Sequence, residues 1–456
     1  MSPTQPSYQV TDPATGEVLK TFPFATDAEI ESAIAGAHTA FTAWRNRSLE
    51  ERAAVVKRVA ELFGERAQEL AKLSQQEMGK AYDEGKEESE FSQAIFDYYA
   101  TQGPRLGADQ TIPTSSDTGG TAVVERRPVG PVLGIMPWNF PTYQIARFAA
   151  PNLVLGNTVI LKHAESVPQV ALAVEQIMKD AGVPEGAYVN VFATHDQIET
   201  IIADQRVQGV SLTGSERAGA VVAQLAGKYL KKCVLELGGS DPMVVLDTDD
   251  VAKLAATAWD FRVYNNGQVC NSNKRMIVMD SVYDEFVAQL TEKAQAIDAS
   301  AHAPMSSRRA AESIDEQVQE AVGRGATLHA GGVLGEGPAA HYSPGVLTGV
   351  TPQMRAYSEE LFGPVAVVYK VSSEDEAVEL ANATRFGLGG SVFSVDTERA
   401  KRIARRLDVG MTNVNTPAGE AAELPFGGTK SSGFGRELGP LGFDEFCNKR
   451  LTYIAD

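Results

Sequence analysis

Val132-Leu133-Gly134-Ile135-Met136-Pro137-Trp138-Asn139-Phe140-Pro141 is the stretch from which the fold can be read. A short apolar run stops at a proline-framed turn, and the same design recurs downstream. Thr158–Leu161, Tyr188–Phe192, Gly209–Leu212 and Lys232–Leu237 are further short runs of apolar or β-branched residues. Helical stretches separate them, with Gly-rich turns such as Ala181-Gly182-Val183-Pro184. This strand–helix alternation predicts a doubly wound parallel sheet of the α/β class, which binds ligands at the carboxyl ends of its strands. Trp138 and Asn139 stand at one such end.

Upstream, a short strand pair gives way to helices. Thr26-x-x-Glu29 and Ser48-x-x-Glu51 are capping boxes, each followed by apolar residues at helical spacing. Ile30, Ile34, Phe41 and Trp44 share one face of the first helix, and Val55, Val59 and Leu62 one face of the second. A longer helix is expected over Lys86–Thr101. A β-rich segment follows at Gly119–Pro128. Downstream of Gly238-Gly239 a second α/β half begins, with strands near Arg275–Met279 and Val365–Val371. Its helices are expected near Ser281–Ile297, Asp315–Gly323 and Asp375–Ala383. The tail, Phe443–Ile454, ends in the strand-like Arg450-Leu451-Thr452-Tyr453-Ile454. It has no partner nearby in sequence, and such strands often complete another subunit's sheet. The expected organisation is thus a Rossmann-like unit from 1–110 and 130–237, a second α/β unit at 238–430, and a small β oligomerisation arm from 111–129 and 440–456.

Composition narrows the function. The 456 residues are 43% hydrophobic and 22% charged, the mix of a soluble globular protein. Apolar runs such as Val132–Met136 and Met243–Leu246 are too short to span a bilayer. The polar opening Met1-Ser2-Pro3-Thr4 lends no support to secretion or import. Cys233, Cys270 and Cys447 are scattered and odd in number, which argues against a disulfide framework or a cysteine zinc site and favours the reducing cytoplasm. A net charge of −18 repels phosphate backbones and anionic lipid, so neither nucleic acid nor membrane is expected as a partner. The basic run Arg402–Arg406 is broken by Ile403 and Ala404 and reads as a solvated helix face. A small-molecule substrate remains.

Three further patterns join Pro137–Pro141: Glu236-Leu237-Gly238-Gly239, Asn265-Asn266-Gly267-Gln268-Val269-Cys270, and Glu359-Glu360-Leu361-Phe362-Gly363-Pro364. With Pro425-Phe426-Gly427-Gly428 they follow one another in an order, and with a Glu236-to-Cys270 interval, that resembles the aldehyde dehydrogenase superfamily over nearly the whole chain. The short N-terminus is similar to that of the compact succinate-semialdehyde dehydrogenases of bacteria.

The chemistry can be argued from the residues. A planar carbonyl has no C–H bond ready to leave as hydride, whereas a tetrahedral alkoxide does. A thiolate forms that alkoxide readily, and Cys270 lies in a Gly-Gln turn where backbone can approach a substrate. The resemblance assigns the Asn139 side-chain amide and the Cys270 N–H to the oxyanion. Glu236 suits a general base acting on Cys270, on the deacylating water, or on both. No metal is implied, because no His/Cys/Asp cluster has ligand spacing. The bland alternatives are a turn-forming asparagine at Asn139, a surface-paired Glu236 and an inert buried thiol. The inert reading suits Cys233 and Cys447.

No Gly-x-Gly-x-x-Gly follows the first sheet strand. Instead Thr213-Gly214-Ser215 opens a helix, where Gly214 allows close backbone approach and Ser215 can meet a phosphate, unless this is only a capped turn. The resemblance places Lys162 and Glu165 on the adenosine ribose, Glu360 on the nicotinamide ribose, and Phe362 near the ring. Trp138 and Leu237 are assigned to the same cofactor. A carboxylate at Glu165 favours NAD over NADP, although Lys162 leaves NADP open.

For substrate, the resemblance assigns Arg147 to a distal carboxylate, with a helix-surface or interdomain salt bridge as the alternative. Tyr143 is counted with it. Glu420 stands where these enzymes carry an anion-contacting serine, and would repel an anion unless it turned away or paired with Arg147. Ser272 replaces the second cysteine of some relatives. A semialdehyde therefore leads as substrate, ahead of neutral or cationic-tailed aldehydes and of a cysteine esterase reaction. A homodimer or homotetramer is expected.

Overall fold

A computed structural model describes residues 7–115, 119–297 and 302–455. The polar opening at 1–4 lies outside the described residues. The anticipated strands of the first half assemble into one sheet, in the order Gly433–Phe434, Lys232–Glu236, Gly209–Thr213, Pro131–Met136, Thr158–His163, Tyr188–Asn190. All pair in parallel except Gly433–Phe434, which runs antiparallel beside Lys232–Glu236. From Pro131–Met136 the chain winds first toward Tyr188–Asn190 and then returns to the other side at Gly209–Thr213. The crevice between these two directions opens where Trp138 and Gly214 lie.

The helix Pro141–Leu155 is buried along its whole length. It packs close to the sheet because Gly134 has no side chain; an added Cβ there would lie 2.5 Å from the Phe148 ring. Its N-terminus has no cap of its own. Glu88, from the helix Tyr82–Leu106, accepts the Thr142 and Tyr143 amides at 2.7 and 3.0 Å and complements the helix dipole. Both upstream capping boxes form, at Thr26 before Asp27–Trp44 and at Ser48 before Leu49–Glu65.

The second sheet holds Arg275–Met279 and Val365–Val371 at the predicted limits, beside Pro242–Val245. Its order is Thr327–Ala330, Gly345–Thr348, Val365–Val371, Arg275–Met279, Pro242–Val245, Ser391–Phe393, Asn413–Val414. Three of these strands are three or four residues long and buried on both faces, so they carry no alternation for a sequence to reveal.

The C-terminal strand joins the other half of the expected β arm. Cys447–Ile454 does have a partner in its own chain, pairing antiparallel with Thr121–Pro128 from Cys447↔Pro128 to Ile454↔Thr121. Gln110–Ile112 completes this three-stranded sheet. More than three hundred residues separate the two long strands, so the tail's partner lies nowhere near it in sequence.

Candidate active site

The cysteine loop is shaped by strained backbone. Asn265, Asn266 and Gly267 occupy consecutive left-handed conformations, with φ of 48°, 53° and 70°, a region that asparagine and glycine tolerate best. A side chain at Gly267 would meet the Gly363 carbonyl at 2.3 Å. The fully buried Arg262 guanidinium locks the two motifs together, donating to the carbonyls of Gly267, Leu361, Gly363 and Val365 and to Ser272 Oγ. Ser272 is thus a structural partner of Arg262.

Asn139 is delivered to the same loop. Its Nδ2 donates to the Gln268 carbonyl at 3.1 Å, while its own carbonyl accepts from Asn265 Nδ2 at 2.8 Å. One Nδ2 proton thereby remains for a ligand. His163 holds the turn from beneath: Nδ1 accepts the Ala164 amide at 2.9 Å, leaving Nε2 to donate to the Pro141 carbonyl at 3.0 Å. Burial lowers its pKa to about 4 and keeps the ring neutral.

Cys270 lines a cavity of about 260 Å³ walled by Phe91, Phe140, Tyr143, Phe261, Tyr264 and Phe426. Burial pushes the thiol up to about 12, Arg147 and Lys274 pull it down, and Glu360 and Glu420 push it up further. Cys233 and Cys447 sit in strands, each pushed up to about 11 mainly by burial, and neither lines the aromatic cavity of Cys270. Glu236 ends its strand in full burial, and neither carboxyl oxygen has a hydrogen-bond partner among the described residues. Burial raises it well above the carboxylate range against the opposing charge of Arg147. Its Oε1 faces bare Gly427, where an added Cβ would lie 2.7 Å away.

Glycines 238 and 239 make room for the other side of the site. A Cβ on Gly238 would lie 2.5 Å from Glu360 Oε2, and one on Gly239 would lie 2.4 Å from the Cys270 carbonyl. Glu360 accepts the Gly239 amide and the Lys274 ammonium, both at 3.1 Å. Trp138 and Phe362 meet edge to face with centroids 5.9 Å apart. Leu237 packs where a Cβ on Gly219 would lie, 2.6 Å from its methyl. Gly214 donates to the Glu236 carbonyl, and Ser215 caps the helix Glu216–Lys228 by accepting the Ala218 amide at 3.3 Å. Lys162 and Glu165 lie 3.6 Å apart at the end of the neighbouring strand. A crevice with a bare Gly-Gly floor, a helix N-terminus and an aromatic pair fits a dinucleotide.

Two substrate expectations change. Arg147 does not present an open guanidinium: fully buried, it is ion-paired with Glu437, bonded to Gln144 and Thr213, and stacked on the Phe426 ring at 4.5 Å. Burial works against its charge, but Glu437, Tyr143 and Glu236 outweigh that and hold it protonated. Tyr143 does line the cavity, its hydroxyl 3.3 Å from Arg147. Glu420 does not pair with Arg147; it stands exposed on the cavity wall and accepts Asn271 Nδ2 at 2.5 Å. Sequence reasoning missed Glu437, Arg262, His163 and Lys274. Each works through backbone carbonyls or a distant charge, which leaves no local signature.

Comparison with known proteins agrees with this geometry. A model of the aldehyde dehydrogenase family matches residues 1–452. The succinate-semialdehyde dehydrogenase [NADP(+)] of Deinococcus radiodurans is 54% identical over 98% of this chain and 94% of its own. Its counterpart in Mycobacterium avium is 41% identical over 97% and 96%. The structure of succinic semialdehyde dehydrogenase from Streptococcus pyogenes in complex with NADP+ superimposes with a TM-score of 0.95, at 40% identity over 99% of this chain and all of that one. The chain belongs to the aldehyde dehydrogenase family, and its reaction is the NAD(P)-dependent oxidation of an aldehyde.

Proposed function

We propose that Cys270 is the nucleophile, Asn139 the oxyanion donor and Glu236 the general base in oxidation of a short semialdehyde. The Cys270 sulfur adds to the aldehyde carbon, and the oxyanion is received by the free Asn139 Nδ2 proton together with the Cys270 N–H. A bound nicotinamide supplies the hydride acceptor. Lys162, Glu165, Gly214 and Ser215 would hold its adenosine and phosphates, with Trp138, Leu237, Glu360 and Phe362 toward its nicotinamide end. Once the thioester stands on Cys270, Glu236 takes a proton from water, which attacks the acyl carbon, releases the carboxylate and restores the thiol. Burial raises the Glu236 carboxyl above the usual carboxylate range, which strengthens its hold on the proton that water gives up.

The observation that carries this reading is the Cys270 thiol on a small cavity walled by aromatic rings, with a hydrogen-bond donor from Asn139 fastened to the same loop. The names of the relatives support a semialdehyde. They lend no support to the NAD preference expected from Glu165, since they name NADP(+); Lys162 beside that carboxylate supplies a cation for a 2′-phosphate. Use of both cofactors follows. Assembly as a homodimer or homotetramer is supported by the three-stranded arm, whose Leu451 and Ile454 are exposed. Three free cysteines suit a cytoplasmic setting.

The test is steady-state kinetics with NAD and NADP against succinate semialdehyde, butanal and benzaldehyde. The semialdehyde is expected to give the highest kcat/KM, and Glu420→Ser to raise it further by removing a like charge from the cavity wall. A preference for both neutral aldehydes over succinate semialdehyde would reject the substrate assignment.

A further inference from the structure

Lys274 has no place in the mechanism above, yet its ammonium is among the most buried charges of the protein, with a side chain 1% exposed. It donates to the Val269 carbonyl at 2.7 Å and to the Cys270 carbonyl at 2.6 Å, and its third contact is Glu360 Oε1 at 3.1 Å. The Phe362 ring lies 5.9 Å away. One ammonium therefore joins the backbone of the nucleophile to the carboxylate proposed to hold the nicotinamide ribose. A buried ammonium needs a counter-charge, and because its partner here is a carboxylate of the cofactor crevice, it is sensitive to whatever Glu360 binds.

We propose that Lys274 is a positioning residue that transmits occupation of the cofactor crevice at Glu360 to the ionisation of Cys270. The inference rests on the reading of Glu360 as a cofactor contact. With the crevice open, the Glu360 carboxylate offsets the ammonium that faces the cysteine loop. When ribose hydroxyls donate to Glu360, part of its charge is spent on them, and the field of Lys274 falls more fully on the sulfur. The thiol then releases its proton to solvent at lower pH. Thiolate thus becomes abundant only where a hydride acceptor is present, which spares the free enzyme futile alkylation.

The charges facing the sulfur come from several elements. Arg147 on the helix Pro141–Leu155 and Lys274 favour the thiolate; Glu360 and Glu420 oppose it. Of these four, Glu360 and Lys274 are in direct contact with each other and on the cofactor side. Arg147 is committed to Glu437, and Glu420 to Asn271.

The experiment is the pH profile of Cys270 alkylation by iodoacetamide, with and without NADP, in the full-length protein and in Lys274→Met, Lys274→Arg and Glu360→Gln. The position of the profile along the pH axis is read, because shielding by the cofactor changes only its height. In the wild type, NADP should move the profile down by about one pH unit, roughly a tenfold gain in thiolate on the rising limb. Lys274→Met should bind NADP, as followed by quenching of tryptophan fluorescence, without moving the profile. Lys274→Arg should restore part of the movement. Glu360→Gln, which leaves the buried ammonium in place should Lys274→Met fail to fold, should start at the lower position and move no further. A full NADP-induced movement in Lys274→Met or in Glu360→Gln would overturn the proposal. If wild type binds NADP tightly but its profile does not move, the coupling is absent; if Glu360→Gln leaves NADP affinity unchanged, the Glu360 assignment itself fails.

Discussion

In the proposed mechanism one sulfur and one carboxyl divide the catalytic labour, and burial raises the pKa of both. At Cys270 the raised thiol, about 12 without cofactor, is almost wholly protonated at pH 7. Alkylation of the cofactor-free protein should therefore be slow at neutrality and climb about tenfold per pH unit toward pH 10, because only thiolate reacts. A plateau reached by pH 8 would contradict this. In the mechanism proposed above Glu236 acts after the hydride has left. Glu236→Gln should lower steady-state kcat about 100-fold or more while preserving a pre-steady-state burst of reduced cofactor, measured by stopped-flow absorbance. Loss of the burst would move Glu236 to the acylation step. Cys270, Glu236 and Asn139 could be picked out by sequence because their motifs are contiguous. Glu437 could not, since its role is to meet a charge that lies 290 positions earlier in the chain.

Among the elements, the strand-to-crevice turns carry the burden. Gly238 closes the strand Lys232–Glu236 with no side chain where Glu360 must approach. Gly238→Ala should raise KM for the cofactor about tenfold or more, an expectation from a forced clash near a positioned group. Melting temperature should change little, and calorimetry beside cofactor titration separates the two effects. The helix Leu49–Glu65, far from the chemistry, offers a contrast. Ser48 and Glu51 form a complete capping box, so Ser48→Ala should cost about 1 kcal/mol of stability and leave kcat/KM intact. The strands with alternating helices were readable from periodicity. The buried three- and four-residue strands of the second sheet were not, because a fully buried strand and a buried loop have the same apolar composition.

For the whole molecule, the C-terminal segment is the tie. After Pro425-Phe426 the chain adds Gly433–Phe434 to the first sheet, pairs Glu437 with Arg147, and ends by pairing Cys447–Ile454 with Thr121–Pro128. Arg147→Met leaves the Glu437 carboxylate buried without its cation and should cost about 3–5 kcal/mol, seen as a lower denaturation midpoint. Pairing it with Glu437→Leu should recover much of that loss. Removing residues 447–456 strips the long partner from Thr121–Pro128 and should shift the assembly to smaller species in light scattering, if the arm joins subunits as proposed.

Local chemistry settled much of this protein before any coordinates. The period of the apolar runs reveals parallel strands, capping boxes reveal helix starts, and contiguous motifs carry the residues proposed as nucleophile, oxyanion donor and base, since these depend on neighbours within a few residues. Whether Arg147 faces substrate or Glu437, where the last strand pairs, and which cation stands behind Cys270 all depend on groups far apart in sequence. Those choices follow from burial, where a charge must find its complement or pay the full cost of desolvation, and burial exists only once the chain has folded.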